Sequence, residues 1–501
     1  MPIPSKRFIV VASLCALITL TGCATTHTHP LSAADVASTI AADRARAQQG
    51  VEPLQGPLSF DEAVARAIKY NLDRRARALE VALAQGQLDA GAYDALPKLM
   101  ADAGYRYRNN DLITRSIDSV TGQPSLANPF ISSDRVATTY DLTFTWSLLD
   151  FGQSYYAAQQ NGDKVLIAAE RRRKAMHLLI QDVRTAFWRT ASAQKLRGDV
   201  EASIIVAEEA LADSRQAEAE RLRNPVDALR YQRQLLENLR LLEAIDQELS
   251  SAKVELAALI NLPLTQNIVV QEAEEKSGAE WLAIPIEKME ELALANNPDL
   301  RESMYNARVA SVETRRTLLK LFPGLSFNYG RRHSNDSYLI YQNWNEAGLQ
   351  VSYNLLGLLS APAQKRLAEA GVALADQRRV ATQMAVLAQV HLARLQYQNA
   401  LRQLDRADAI WKVDSEIARH AANRGEVQAQ SKLDVVANRT TVLLSHLRRY
   451  QALAQAQATA GKLQATLGLE PMLGMADDAP LADLTRAVSA SMRVNPTQAN
   501  P

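Results

Sequence analysis

The sequence predicts a mainly α-helical protein with a small β part, in which one unit of helix, strand hairpin, long helix and return helix is used twice. Three observations carry this. Glycine (20) and proline (18) are sparse in 501 residues, so long stretches run without a turn signal. Landmark residues recur at constant offsets, the mark of an internal repeat. At four places the apolar period drops from that of a helix to two, as in a strand.

The N-terminus comes first. Lys6 and Arg7 precede an apolar run from Phe8 to Leu20, 13 residues long. Spanning a bilayer takes about 20 apolar residues, so the run reads as a secretory signal. Leu20-Thr21-Gly22-Cys23 resembles the lipobox of bacterial lipoproteins. That resemblance implies cleavage after residue 22 and a covalent lipid at Cys23, with residues 23–57 as a lipidated linker. Lipoproteins held at the inner membrane tend to carry Asp after the lipidated cysteine; Ala24 stands there, which allows delivery to the outer membrane. The only other cysteine, Cys15, lies in the removed segment, so the mature body has no thiol for a disulfide or metal. His27 and His29 read as linker, since no matching ligand spacing follows.

Asn71-Leu72-Asp73 recurs as Asn297-Pro298-Asp299 and Leu96-Pro97 as Phe322-Pro323, both at an offset of 226. Trp146-Ser147-Leu148-Leu149 then matches Tyr353-Asn354-Leu355-Leu356 at 207, as Asp227 matches Asp434 and Leu262 matches Leu469. The offset changes once, so 19 extra residues sit between Pro97 and Trp146, around Thr121-Gly122-Gln123-Pro124. A loop-tip insertion in one of two homologous hairpins explains this. The repeats span 58–263 and 286–470, with 264–285 as the linker between them and 471–501 as a tail.

Helical spacing links Met176, Ile180, Val183 and Phe187, and again Leu235, Leu239, Leu242, Ile245 and Leu249. No proline interrupts the 71 residues from Gln153 to Arg223, about 105 Å as a helix, or the 67 from Gln364 to Gln430. Ser59 to Ala95 and Val226 to Leu259 are each about half as long. Two short helices laid end to end against one long helix would bury the stripe of all three as a coiled coil.

In the first repeat Tyr140, Leu142, Phe144, Trp146 and Leu148 alternate with Asp141, Thr143, Thr145 and Ser147. In the second, Leu325, Phe327 and Tyr329 alternate with Ser326 and Asn328, and Leu349, Val351, Tyr353 and Leu355 with Gln350, Ser352 and Asn354. Tyr105 and Tyr107 opposite Arg106 and Arg108 mark a weaker first strand. A half-buried sheet in a soluble domain alternates in the same way. Here nothing else in the chain offers a layer to cover it, and four strands cannot close a barrel; three chains would supply twelve.

These residues resemble the TolC-like outer-membrane efflux factors, over about Ser59 to Pro471. The resemblance implies a homotrimer with a 12-stranded transmembrane β-barrel and a long periplasmic α-barrel. It implies as partners a periplasmic adaptor, an inner-membrane pump, proton-driven or ATP-driven, and outer-membrane lipid, and no cofactor beyond the lipid at Cys23. The family's tip motif, Gly followed by Asp-Val-Leu-Asp, corresponds to Gly425 through Lys432-Leu433-Asp434-Val435-Val436-Ala437. Asp434 keeps the first acid, Ala437 replaces the second, and the first copy reads Arg223-Asn224-Pro225-Val226-Asp227. Asp434 and Asp227 are thus candidates for a pore constriction. Each also sits where an acid in a helix's first turn stabilises it, after Ser431 and Asn224 as N-caps.

Lys+Arg 56 against Asp+Glu 55 excludes the basic excess of a nucleic-acid binder. No phosphate loop, nucleophile elbow, zinc-protease helix or calcium loop occurs, so an enzyme is not expected. Arg171-Arg172-Arg173-Lys174 reads as a solvated helix face. The expected role is an export duct for small molecules; type I protein or polymer secretion and a structural envelope-tethering lipoprotein stand as alternatives.

Overall fold

The computed structural model describes residues 30–124, 129–220, 225–271, 279–425, 432–469 and 479–492. The chain divides into two compact units, 1–52 and 53–501. In the first, α1 (Ala33–Gln48) forms within the expected linker, held by local bonds. The Ser32 hydroxyl accepts from the Asp35 N–H at 3.1 Å, and the Asp35 carboxylate accepts from the Ser32 N–H at 3.2 Å.

The second unit runs α2 (Phe60–Tyr70), α3 (Leu72–Ala92), β1 (Lys98–Tyr107), β2 (Ile113–Thr114), β3 (Phe130–Ile131), β4 (Val136–Ser147), α4 (Leu148–Ala219) and α5 (Pro225–Leu259). It continues with α6 (Ile286–Asn296), α7 (Pro298–Leu319), β5 (Gly324–Ser334), β6 (Asn343–Ser352), α8 (Gly357–Gly425), α9 (Lys432–Thr466) and α10 (Leu481–Met492). The expected long helices are α4, with 72 residues, and α8, with 69. At 1.5 Å per residue they run about 108 and 104 Å.

Ser59 to Ala95 is not one helix, as the pattern suggested, but two, divided at Asn71. Asn71 is extended (φ −61°, ψ 126°), and its Oδ1 accepts from the Arg74 N–H at 3.0 Å, capping α3. Its Nδ2 donates to the Leu259 carbonyl, 3.1 Å away, at the end of α5. The second copy repeats the device: Asn297 accepts from Asp299 and Leu300 at 2.9 and 3.2 Å and donates to the Thr466 carbonyl at 3.0 Å. One asparagine therefore satisfies both the N–H groups that open one helix and a carbonyl that closes another. This is the joint at which the short helices meet end to end.

Each return helix ends in a left-handed residue, Asn261 (φ 55°) after α5 and Gly468 (φ 69°) after α9. Leu262 and Leu469 donate backward to Ala257 and Gln464 at 2.9 and 3.0 Å, closing the last turn. The recurrence of Leu262 as Leu469 comes from this motif.

Near the sheet the helices lie in the order α3, α4, α7, α8, and toward the far turns in the order α5, α4, α9, α8. Val183 and Phe187 of α4 and Leu235, Leu239 and Leu242 of α5 are buried, as their spacing predicts. A central cluster joins Met289, Leu300, Val390, Tyr397, Leu463 and Leu467. A second, nearer the far turns, joins Ala207, Leu211, Leu235, Leu239 and Val436. Between α4 and α9 lies Arg184, its guanidinium over the Phe60 ring at 5.4 Å and 3.4 Å from the Gln457 carbonyl. Burial without a carboxylate partner pushes it down to about 10.

Two further elements brace this middle region. The expected C-terminal tail contains α10, which packs on α2 through Leu484 and Val488. The linker between repeats is tied by a parallel bridge: Leu58 N–H to Val269 and Gln271 N–H to Leu58, both 2.8 Å.

The strands form one antiparallel sheet in the order β1-β4-β5-β6. Strand order thus repeats helix order: β1 follows α3, β4 leads into α4, β5 follows α7 and β6 precedes α8. Residues 108–135, 28 in all, separate the paired Tyr107 and Val136; residues 334–342, 9 in all, separate His333 and Asn343. The difference of 19 is the predicted insertion, and within it β2 pairs with β3.

Candidate functional site

The register sorts the sheet into two faces. Facing residues of antiparallel strands project to the same side, so Leu99–Phe144–Tyr329–Ala347 forms one row and Trp146–Phe327–Leu349 another. The opposite face carries Met100–Thr143–Gly330–Glu346 and Lys98–Thr145–Asn328–Gly348. The apolar face is open: Leu99 is 66 % exposed, Tyr140 56 % and Leu349 70 %. Among the described residues only α4 packs appreciably against the sheet, so no second layer covers it as a soluble sandwich requires. Aromatics gather at both ends of this face, Tyr105, Tyr107 and Tyr140 toward the loops and Trp146, Phe151 and Tyr353 toward the helices.

The outer edges of β1 and β6 have no strand partner among the described residues, and every residue of both strands is exposed. The twelve residues of β4 span about 40 Å. Tilted by about 45°, such a strand crosses about 28 Å, matching the ~25 Å apolar band of outer-membrane barrels.

On the polar face Asp141 lies between Asp102 and Arg332, and Arg332 reaches Glu346 at 3.3 Å. The two hairpin tips are tied together beyond the strands. Asp134 accepts from the Ser337 hydroxyl at 2.9 Å, and Asp336 accepts from the Asp134 N–H at 3.2 Å and pairs with Arg106 at 3.4 Å. In the longer loop Arg135 forks onto Asp111 with two bonds of 2.6 Å, which holds the Asp111 carboxyl below its usual range.

The Arg171–Lys174 run is a mostly exposed helix face, as expected, but its cations are paired. Arg171 pairs with Glu302 at 2.8 Å and Lys174 with Asp299 at 2.8 Å, while Arg173 bonds Glu170 at 2.5 Å. They belong to a ladder between α4 and α7 that also includes Glu170–Arg301 at 2.8 Å and Asp163–Arg308. Nothing in the sequence marks these pairs, because they depend on the register between two helices 130 residues apart.

The predicted site residues do not all fall within view. Cys23 lies outside the described residues. Asp227 is the third residue of α5, exposed, with Arg230 at 3.9 Å; its proposed cap Asn224 lies outside the described residues. Asp434 is likewise the third residue of α9, and Ser431 lies outside. Near this end the outer helices bear apolar stripes: Val226, Leu229 and Leu236 from the start of α5, and Ile410, Val413 and Ile417 in the closing turns of α8, all exposed. Their spacing of three, four and seven was legible in the sequence as an amphipathic signal, but not which side lacked a partner.

No protein-family model matches the chain, and no curated protein does. Solved structures do. The chain is similar to the outer-membrane channel OprN at 17% identity and a TM-score of 0.61, covering 82% of this chain and 90% of that one. The Campylobacter jejuni CmeC outer-membrane channel gives 13% and 0.62, over 86% and 89%. The open state of the Neisseria gonorrhoeae MtrE outer-membrane channel gives 15% and 0.60, over 84% and 95%.

Proposed function

Starting from a chain with the fold of the TolC-like outer-membrane channels, we propose that it is one subunit of a homotrimeric export duct in the outer membrane, serving small-molecule efflux with a periplasmic adaptor and an inner-membrane pump. The observation that carries this reading is the uncovered apolar face of a four-stranded sheet with both edges unpaired. Three copies joined edge to edge turn that face to lipid and the polar face to a lumen, and leave no free edge. The exposed stripes on α5 and α8, at opposite ends of the helix order, meet in the same closure. A tethering lipoprotein would need a layer over the sheet.

Purified protein is expected to run as a heat-modifiable trimer and to form pores in planar bilayers. A monomer without conductance would end this reading. Cargo follows the pump; a neighbouring gene for an ATP-driven transporter in place of a proton-driven pump would favour protein or polymer secretion. The lipid at Cys23 supplies an additional anchor in this proposal.

Asp434 and Asp227 are proposed to constrict and charge the periplasmic mouth. Three-fold symmetry sets three Asp434 carboxylates about one axis, and a narrow mouth focuses their negative potential, so cations are preferred. Asp434→Asn is expected to lower cation preference in reversal-potential measurements, whereas Ser431→Ala weakens only the helix start, by up to about 1 kcal/mol. If both variants lose similar thermal stability and neither changes selectivity, Asp434 is a helix-stabilising residue alone.

A further inference from the structure

One outward-facing position of the four-stranded sheet carries a permanent charge. Arg331 on β5 lies between Leu142 on β4 and Asn345 on β6, so its row leads from an apolar neighbour to an amide. It is exposed, and it joins none of the ion pairs found among the described residues. Two positions nearer the loop, on the same face, His333 is fixed: its Nδ1 lies 3.0 Å from Asn343 Oδ1, and its ring stacks on Tyr140 with centroids 5.9 Å apart. Two positions nearer the helices, Tyr329, Phe327 and Leu325 resume the apolar run. Arg331 thus stands where the apolar band of the second hairpin ends, at the end of the sheet away from the helices.

We propose that Arg331 docks the phosphate of an outer-leaflet lipid headgroup, one per subunit, with Asn345 as a second donor and Tyr140 and His333 as a wall on the loop side. This rests on the reading of the sheet as a membrane barrel. A guanidinium on a lipid-facing row is costly at mid-bilayer and tolerated at headgroup depth. A cation there without an ion-pair partner among the described residues is complementary to the anionic groups that occupy that depth, and the planar fork of arginine matches two phosphate oxygens at once. The neighbouring Arg332 faces the lumen and is paired with Glu346 at 3.3 Å, so the chain itself supplies a charge-matched control on the opposite face.

The test uses the full-length trimer in mild detergent, incubated with diphosphorylated lipid A or the same lipid with both phosphates removed, and examined by native mass spectrometry. Wild type is expected to retain the phosphorylated lipid, Arg331→Gln to retain about tenfold less, and Arg332→Gln to match wild type. The dephosphorylated lipid should not discriminate among the three. Equal retention by wild type and Arg331→Gln, or an equal loss in Arg332→Gln, overturns the docking site. The same samples are scored for heat-modifiable trimer: a wild type that never assembles overturns the membrane reading itself, while intact trimers with unchanged lipid retention overturn only the role of Arg331.

Discussion

Phe144→Arg is expected to abolish most membrane assembly, while Thr143→Arg assembles close to wild type. The two residues are neighbours in β4 and differ in the face they present: Phe144 pairs with Leu99 and Tyr329, in a row that is apolar on all four strands, and Thr143 with Met100 and Gly330. A charge on the lipid side of a barrel costs roughly 2–4 kcal/mol at the midplane, whereas one on the lumen side stays hydrated. In the proposed trimer the penalty is incurred three times. Folding yield into liposomes, read as the heat-modifiable trimer band, decides it. Equal yields for the two variants would mean that neither face meets lipid.

Gly468→Ala is expected to destabilise the protein by more than about 2 kcal/mol, an unusual cost for one methyl group. Two causes act together. The left-handed φ of 69° disfavours a side chain, and a Cβ built there would lie 2.4 Å from the backbone carbon and oxygen of Asn296, which cannot swing aside as a side chain could. The equivalent position in the first copy is Asn261, at φ 55°, so a side chain is accommodated there, and Asn261→Gly should change stability by less than about 1 kcal/mol. Thermal melts of the two variants compare them directly. A Gly468→Ala protein as stable as its parent would show that the joint between α9 and the end of α6 yields.

The parts of this fold legible in the sequence are those whose signal is local. The long helices announce themselves by proline-free amphipathic runs, and β4 by four alternating apolar residues, Tyr140, Leu142, Phe144 and Trp146; the alternation runs on to Leu148, which opens α4 instead. The first half of β1 was silent, since Lys98 to Gly104 offers only Leu99, Met100 and two alanines; pairing with β4 makes it a strand. Asn71 was noted as a repeated residue, but its cap and the resulting break in the helix were not, because its second partner, the Leu259 carbonyl, is 188 residues away. The docked α10 was missed for a related reason. A short amphipathic segment near a chain end looks like a tail until α2 presents a surface for Leu484 and Val488. Asp227 and Asp434 each stand third in their helices, equivalent positions that the duplication makes legible, whereas the side on which the apolar stripes of α5 and α8 lack a partner depends on which helices neighbour them.

Strand β4 passes into α4 with no intervening residue, Ser147 closing one and Leu148 opening the other. The sheet therefore acts as a vernier for the helices. If β4 slipped against β5 by two residues, keeping the correct faces, it would move about 7 Å. A full turn of helix rises only 5.4 Å, so α4 would overshoot α7 by more than a turn, and Asp163, Glu170 and Arg171 would lose the partners they hold on Arg308, Arg301 and Glu302. A mispairing that the sheet alone would accept is thus detected by charges tens of ångströms away, and the ion-pair ladder proofreads the strand register.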